Sequence, residues 1–189
     1  MDQDKGSVDQ ALTTKQANVI PRPGTWMYSM LIDEKSSKKY LKLFKILNKL
    51  VVPLYRLRIL APIGFRLLLM THKGRKTGKT RRTPVEYFKI DKTIAVVSGY
   101  GEKANWFRNI KQSPEEAYIQ VGFRGFKPRV EIIEEQKELE EFFKWLVINN
   151  PKYAKAGFGW DPKTDDPETH DFSYIASHMR VIKFHRRNK

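Results

Sequence analysis

The residues with the most chemical potential lie in one stretch, Thr71-His-Lys-Gly-Arg-Lys-Thr-Gly-Lys-Thr-Arg-Arg-Thr-Pro84, where six cationic side chains crowd around two glycines between apolar, strand-like runs. Such a turn binds anions. Glycines allow backbone N–H groups to face inward as a nest, and Arg75, Lys76, Lys79 and Arg81 add charge-assisted hydrogen bonds to a phosphate or carboxylates. The field is local. Residues 37–82 carry fourteen Lys or Arg and no acid, residues 1–36 sum to −1 and residues 83–189 to +2, so the net charge of +15 belongs to one quarter of the chain. A nucleotide P-loop fails on spacing, because three residues rather than four separate Gly74 from Gly78. The next residues, Thr80 to Val85, include β-branched side chains and Pro84 and do not open a helix. The plainer alternative is an exposed hairpin whose charges are solvated.

Other chemistries are thinly provided for. The chain has no cysteine, which removes disulfides, thiolate metal sites and a thiol nucleophile. His72, His170, His178 and His185 show no paired spacing with carboxylates of the kind metal sites use. Asp161, Asp165, Asp166, Glu168 and Asp171 lack the order and the glycine of an EF-hand loop, so no metal is expected. With 189 residues, 40% of them hydrophobic, and eleven Phe, eight Tyr and four Trp, the chain can bury one good core. No basic-then-apolar leader opens it, and no apolar run approaches the roughly 20 residues that span a bilayer. A cytoplasmic setting is the expectation.

The framework around the cationic turn can be read from periodicity. Residues 1–36 are polar, broken at Pro21-Arg-Pro-Gly24, and read as an N-terminal arm or extension with little function. Residues 37–189 read as a single domain. Its first element is a basic amphipathic helix, with Tyr40, Leu43, Phe44, Leu47, Leu50 and Val51 on one face and Lys38, Lys42, Lys45 and Lys49 on another, ending at Pro53. Strands are expected over 65–71, 83–90, 93–97, 118–121, 126–133 and 179–184, the fourth and fifth joined through Gly122-Phe-Arg-Gly125. Helices are expected over 104–112 and 134–150, followed by a Gly, Pro and Asp-rich loop over 151–172. The fold class is mainly β with α additions (α+β), a small barrel or half-barrel.

The wording of the turn resembles a known family. Leu68-Leu-Met-Thr-His-Lys-Gly-Arg-Lys-Thr-Gly-Lys-Thr-Arg-Arg-Thr-Pro-Val85 is similar to the Thr-x-Gly-Arg-Lys-Ser-Gly-x-x-Arg-x-x-Pro-Leu signature of the deazaflavin-dependent nitroreductases, which include quinone reductases. Leu47 to Arg56 resembles the family's leading helix, and Val97-Ser-Gly-Tyr-Gly101, Trp106-Phe-Arg-Asn109, Ser113-Pro114 and Ile119-Gln-Val-Gly122 come after it in the family's order. The likeness spans about residues 45–153. It implies a split β-barrel of the flavin-binding type that holds coenzyme F-420 and passes hydride to a quinone, nitro compound or other conjugated acceptor. That coenzyme carries a phosphate and a glutamate tail, which the acid-free region would complement. FMN is the alternative cofactor.

By motif position the resemblance assigns Gly74, Arg75, Lys76, Thr77, Gly78, Lys79, Arg81 and Pro84 to cofactor binding, with Ser98, Gly99, Trp106 and Asn109 beside the ring. Ser98 and Gly99 have a plain turn as their alternative reading, and Trp106 a place in the core. The family's tyrosine after the penultimate helix corresponds to Tyr153, a candidate catalytic proton donor with Ser98. The chain departs from the pattern at Ala156, where relatives have a second aromatic, and in the loop Gly157-Phe-Gly-Trp-Asp-Pro162. Phe158 and Trp160 either line an acceptor pocket or pin that loop. A reading of another class makes the chain a basic module for nucleic acid, which no motif supports. Another lays residues 38–50 on an anionic membrane surface, making the enzyme peripheral on the inner face; the competing use of that helix is packing on the protein's own barrel. A homodimer is expected by analogy with other flavin-binding barrels.

Overall fold

Two points at which the chain changes sheet decide the architecture. The computed structural model describes residues 17–33, 42, 46, 49–55 and 66–187. β1 (Ala17–Asn18) and α1 (Trp26–Leu31) come first, then α2, helical at 42, 46 and 49–55. β2 (Leu67–Lys73), β3 (Thr80–Glu86), β4 (Phe88–Ile90) and β5 (Thr93–Ser98) come next. After α3 (Asn105–Gln112) come β6 (Tyr118–Val121), β7 (Arg124–Phe126) and β8 (Pro128–Ile133). The chain closes with α4 (Gln136–Asn149), α5 (Pro151–Phe158), β9 (His170–Asp171), α6 (Ser173–His178) and β10 (Arg180–Arg186).

The strands form two four-stranded antiparallel sheets, ordered β3-β2-β6-β7 and β4-β5-β10-β8. Each of the expected strands 83–90 and 126–133 is therefore two strands in different sheets. The first divides at Tyr87, whose N–H still donates to Arg66 O at 2.8 Å while Phe88 already pairs with Ala95. The second divides at Lys127, before Pro128 opens β8. The inner faces meet through Leu68, Met70 and Ile119 from one sheet and Val96, Ile182 and Phe184 from the other, all fully buried. Phe107 and Ile110, one helical turn apart on α3, plug this barrel; burying each contributes roughly 1.5–3 kcal/mol. The result is the expected α+β split β-barrel.

A second core lies between the helices and the outer face of the β4-containing sheet. Leu139, Phe142, Phe143, Leu146 and Val147 of α4 are buried in it, at the spacing the sequence predicts. The expected loop over 151–172 is helical in its first third: Pro151 occupies the first turn of α5, where no backbone N–H is needed. Phe158 and Trp160 are 1% and 3% exposed within this core, so they pin the loop and do not line a pocket. The described part of the segment read as an arm, residues 17–33, is also packed here. β1 pairs in parallel with β9, the Thr25 hydroxyl caps α1 by accepting from Tyr28 N at 3.3 Å, and Met27 is fully buried. Arg22 fixes the crossing with a bidentate bond to Asp165 at 2.7 and 2.8 Å and a third to Gly159 O at 2.7 Å.

α2 runs past Pro53 to Tyr55, contrary to expectation. Its last described turn is tethered by the buried Tyr55 hydroxyl, which accepts from Gly122 N at 2.8 Å and lies 3.1 Å from the carbonyl oxygens of Leu67 and Gln120. Lys38, Tyr40, Leu43, Phe44, Lys45 and Leu47 lie outside the described residues.

Candidate active site

The cationic turn is closed by its own backbone. Gly74 N donates to Lys79 O at 2.8 Å, and Gly74 O accepts from Thr77 N at 3.1 Å and Gly78 N at 2.7 Å, with Gly78 in the left-handed region at φ 62°. Arg75 N donates to Asn109 Oδ1 at 3.1 Å and Lys79 N to Thr77 Oγ1 at 3.4 Å. The expected nest of inward-facing N–H groups is therefore absent from these residues: their donors are consumed in making the turn. Anion binding falls to side chains. Arg75, Lys76, Arg81 and Arg82 have no ion pair among the described residues.

These four cations open on a cavity of about 990 Å³ that extends along the β2–β3 hairpin. Arg81 pairs with His72 near the turn and Glu86 with Leu67 at the far end, so five residues of strand, roughly 17 Å, separate the two. The cavity is thus polarised. Its turn end is cationic, and its far end is walled by Trp26 and Met30 of α1, Phe88, Val97 and Tyr153. Ring packing sets the aromatic wall: Tyr153 meets Phe88 edge-on at 4.8 Å and Trp26 at 5.9 Å between centroids.

A buried polar network joins the turn to α3. An N–H can only donate, so the Arg75 backbone identifies the Asn109 atom facing it as the oxygen, and Asn109 Nδ2 must face His72 Nδ1, 3.2 Å away. The imidazole accepts there and donates from Nε2 to Thr83 Oγ1 at 3.0 Å. Burial pushes the His72 pKa down to about 4, consistent with that neutral form. The Arg75 guanidinium is held by Asn105 Oδ1 at 3.1 Å and Asn109 Oδ1 at 3.4 Å. Asn109 lines the cavity, but its amide works mainly to position Arg75.

Of the residues named from the sequence, Gly74, Arg75, Lys76, Thr77, Arg81, Pro84, Ser98, Gly99, Trp106, Asn109 and Tyr153 line this one cavity. Gly78 and Lys79 lie in the turn without lining it. Ser98 is 1% exposed, and its hydroxyl donates to Gly101 O at 2.8 Å, so its one proton is committed to the β5 turn and only a lone pair is left for a ligand. Tyr153 makes no hydrogen bond to other described residues. Burial raises its phenol pKa well above 10, and the Glu86 charge adds to this. The sequence reading missed Trp26, Met30, His72 and Glu86. A signal for α1 existed, since Thr25 precedes two apolar residues four apart, Trp26 and Met30.

Residues 58–163, more than half of the chain, match the family described as F420H(2)-dependent quinone reductase. The chain belongs to that family. It is an oxidoreductase that uses the deazaflavin coenzyme F-420 for hydride transfer. No curated protein matches the chain. Among solved structures it is similar to an F420-H2 dependent reductase (FDR-A), at 24% identity and a TM-score of 0.41, over 63% of this chain and 93% of that one. It is also similar to General Stress Protein 26 from Bacillus anthracis, at 14% identity and a TM-score of 0.39, over 68% and 87%. The cavity fits the coenzyme's chemistry: cations without an ion pair among the described residues suit an anionic tail, and aromatic side chains suit a flat ring.

Proposed function

We propose that the protein reduces a planar, conjugated acceptor, a quinone or nitro compound, against the aromatic wall formed by Trp26, Phe88 and Tyr153. The observation that carries this reading is the polarity of the cavity, with all four unpaired cations at the turn and aromatic rings at the opposite end. When bound, the reduced coenzyme supplies the hydride; the protein supplies orientation and electrostatics. Arg75, Lys76, Arg81 and Arg82 hold the phosphate and carboxylates by charge-assisted hydrogen bonds. Asn109 and Asn105 keep Arg75 aimed. Gly99 lets the Met30 side chain pack closely on β5, and Trp26 with Met30 keeps water from that end of the cavity. Tyr153, whose phenol stays protonated at neutral pH, donates a hydrogen bond to the acceptor oxygen.

The test is a fluorescence titration with oxidised F-420 and, separately, FMN at two salt concentrations, followed by an acceptor screen. Tight, salt-sensitive binding of the deazaflavin with turnover of quinones or nitro compounds supports the reading; preference for FMN, or turnover only of small aliphatic acceptors, overturns it.

A second reading concerns where the enzyme works. We propose that α2 seats it on an anionic membrane surface. Ile46, Leu50 and Leu54, four residues apart in the sequence, are 58%, 59% and 37% exposed, and Lys42 and Lys49 are exposed as well. Among the described residues of α2, Tyr55 is buried and Val51 and Val52 are half-buried. Among the described residues no helix is long and apolar enough to cross a membrane. Cosedimentation with vesicles of anionic and of neutral lipid tests this: binding to anionic vesicles that Leu50→Ser and Ile46→Ser weaken supports it, and no binding refutes it.

A further inference from the structure

Glu86 is the one carboxylate among the residues lining the cavity, and it ends the acid-free stretch that supplies the cations. Among the described residues it makes no hydrogen bond and no ion pair. Its place is specific. It pairs with Leu67 at the end of β3 furthest from the turn. Two residues on, Phe88 packs edge-on against Tyr153, and all three line the cavity. On the other side Arg66 bonds to Asn150 Oδ1, the residue that leads into α5 three positions before Tyr153. The groups facing Glu86 are thus Arg66 ahead of β2, Tyr153 on α5, and Arg82 two pleats back along its own strand. Glu86 is exposed to solvent; the desolvation it undergoes beside its neighbours raises its carboxyl pKa against the opposing pull of Arg66.

We infer that Glu86 is the proton donor to the acceptor in the proposed reduction, a role that rests on the reading of this cavity as an F-420-dependent reductase site. A quinone that takes up a hydride at one position is left with an oxyanion. Glu86 gives that oxygen its carboxyl proton, completing the two electrons and two hydrogens of the hydroquinone. The O–H bond of Glu86 breaks as the new O–H bond forms, with the Tyr153 hydroxyl hydrogen-bonded to the same oxygen. The net proton lost when the reduced coenzyme is oxidised goes to solvent, and Glu86 recovers one from the water that reaches it. The placement explains why a carboxylate sits in a cavity otherwise built for anions: it lies at the end away from the tail-binding cations and beside the proposed acceptor wall.

The experiment compares the parent protein with Glu86→Gln, which keeps shape and removes the proton, and with Glu86→Asp. Three quantities are read: F-420 affinity by fluorescence, kcat against pH, and the infrared carboxyl stretch of the ligand-free protein. Expected results in Glu86→Gln are a coenzyme affinity equal to the parent's or tighter and an unchanged melting temperature, with kcat lower by roughly 100-fold, as for loss of a general acid. The alkaline fall in kcat that accompanies loss of the Glu86 proton should disappear in Glu86→Gln and persist in Glu86→Asp. A protonated-carboxyl band titrating above the range of exposed glutamates should vanish only in Glu86→Gln. An unchanged kcat and pH profile in Glu86→Gln, with coenzyme binding intact, overturns the proton role alone. Failure of the parent to bind F-420 overturns the reading beneath it as well.

Discussion

Replacing Asn109 by Ala tests whether the turn is held in place by α3 or holds itself. Asn109 is 7% exposed and makes two short bonds, from Arg75 N at 3.1 Å and to His72 Nδ1 at 3.2 Å, with a longer one from the Arg75 guanidinium at 3.4 Å. Each short bond is worth about 1 kcal/mol net. Truncation also strands the His72 acceptor, at 3% exposure, for about 1 kcal/mol more, giving roughly 3 kcal/mol in all. For a chain of this size that is a fall in melting temperature of roughly 6–12 °C. The functional effect should be separate and smaller. Arg75 keeps its bond to Asn105 at 3.1 Å, so F-420 affinity should drop roughly 10-fold, about 1.4 kcal/mol, rather than vanish. Urea unfolding followed by tryptophan fluorescence gives the first quantity and coenzyme titration the second. Asn109→Asp is the control: it preserves the acceptor for Arg75 but sets a carboxylate oxygen against the His72 lone pair, a conflict relieved by protonating the imidazole or by moving its proton to Nδ1 so that Nε2 accepts from the Thr83 hydroxyl. It should melt closer to the parent than Asn109→Ala does and raise the His72 pKa, while its charge beside Arg75 weakens coenzyme binding. If Asn109→Ala melts within about 2 °C of the parent and binds equally well, the network does not position the turn.

Arg81→Ala removes a cavity cation that has no protein ion pair, so F-420 binding should weaken roughly 10-fold or more, less so in high salt, while the melting temperature stays put; equal loss of binding and stability would refute its role as an anion ligand. His72 makes stability depend on pH. Its folded pKa of about 4 lies below the unfolded 6.5, so the unfolded chain binds more protons in that window, and stability is complete above about pH 6.5 and lost on acidification towards 4. The contribution is roughly 3 kcal/mol, and His72→Gln should flatten that part of a stability–pH curve measured in urea. Gly101→Ala should be among the most damaging single changes. Gly101 has φ 51°, an added Cβ would run into the carbonyl oxygen of His178, and Gly101 O is the acceptor for Ser98; a loss of several kcal/mol in denaturant titration is expected, and a stable variant would refute the packing at the β5 turn.

What could be read from the sequence, and what could not, divides along a physical line. The turn's cationic character was legible because charge is a property of residue type, and α4 was legible because five apolar residues recur at helical spacing. The nest was not legible, since whether a backbone N–H is free depends on which acceptor reaches it: here Asn109, thirty-four residues on, takes the one at Arg75. The division of 83–90 at Tyr87 left no mark either, because both halves keep strand alternation and only pairing with Arg66 on one side and Ala95 on the other separates them. The described part of the arm, residues 17–33, misled for a related reason. Its polar composition is real, yet Arg22 spends its charge on Asp165, and one short helix suffices to set Trp26 and Met30 on the cavity and Met27 in the second core. Glu86 is the residue whose meaning changes most between the two views. As one acid in an alternating strand it said nothing. Set in the fold, it is the single negative charge in a cavity lined with arginine and lysine, at the end away from the turn and facing Tyr153. A carboxylate there weakens the field that draws the anionic tail, and a cavity that only bound anions would do better without it. Its presence favours a site that must also move a proton.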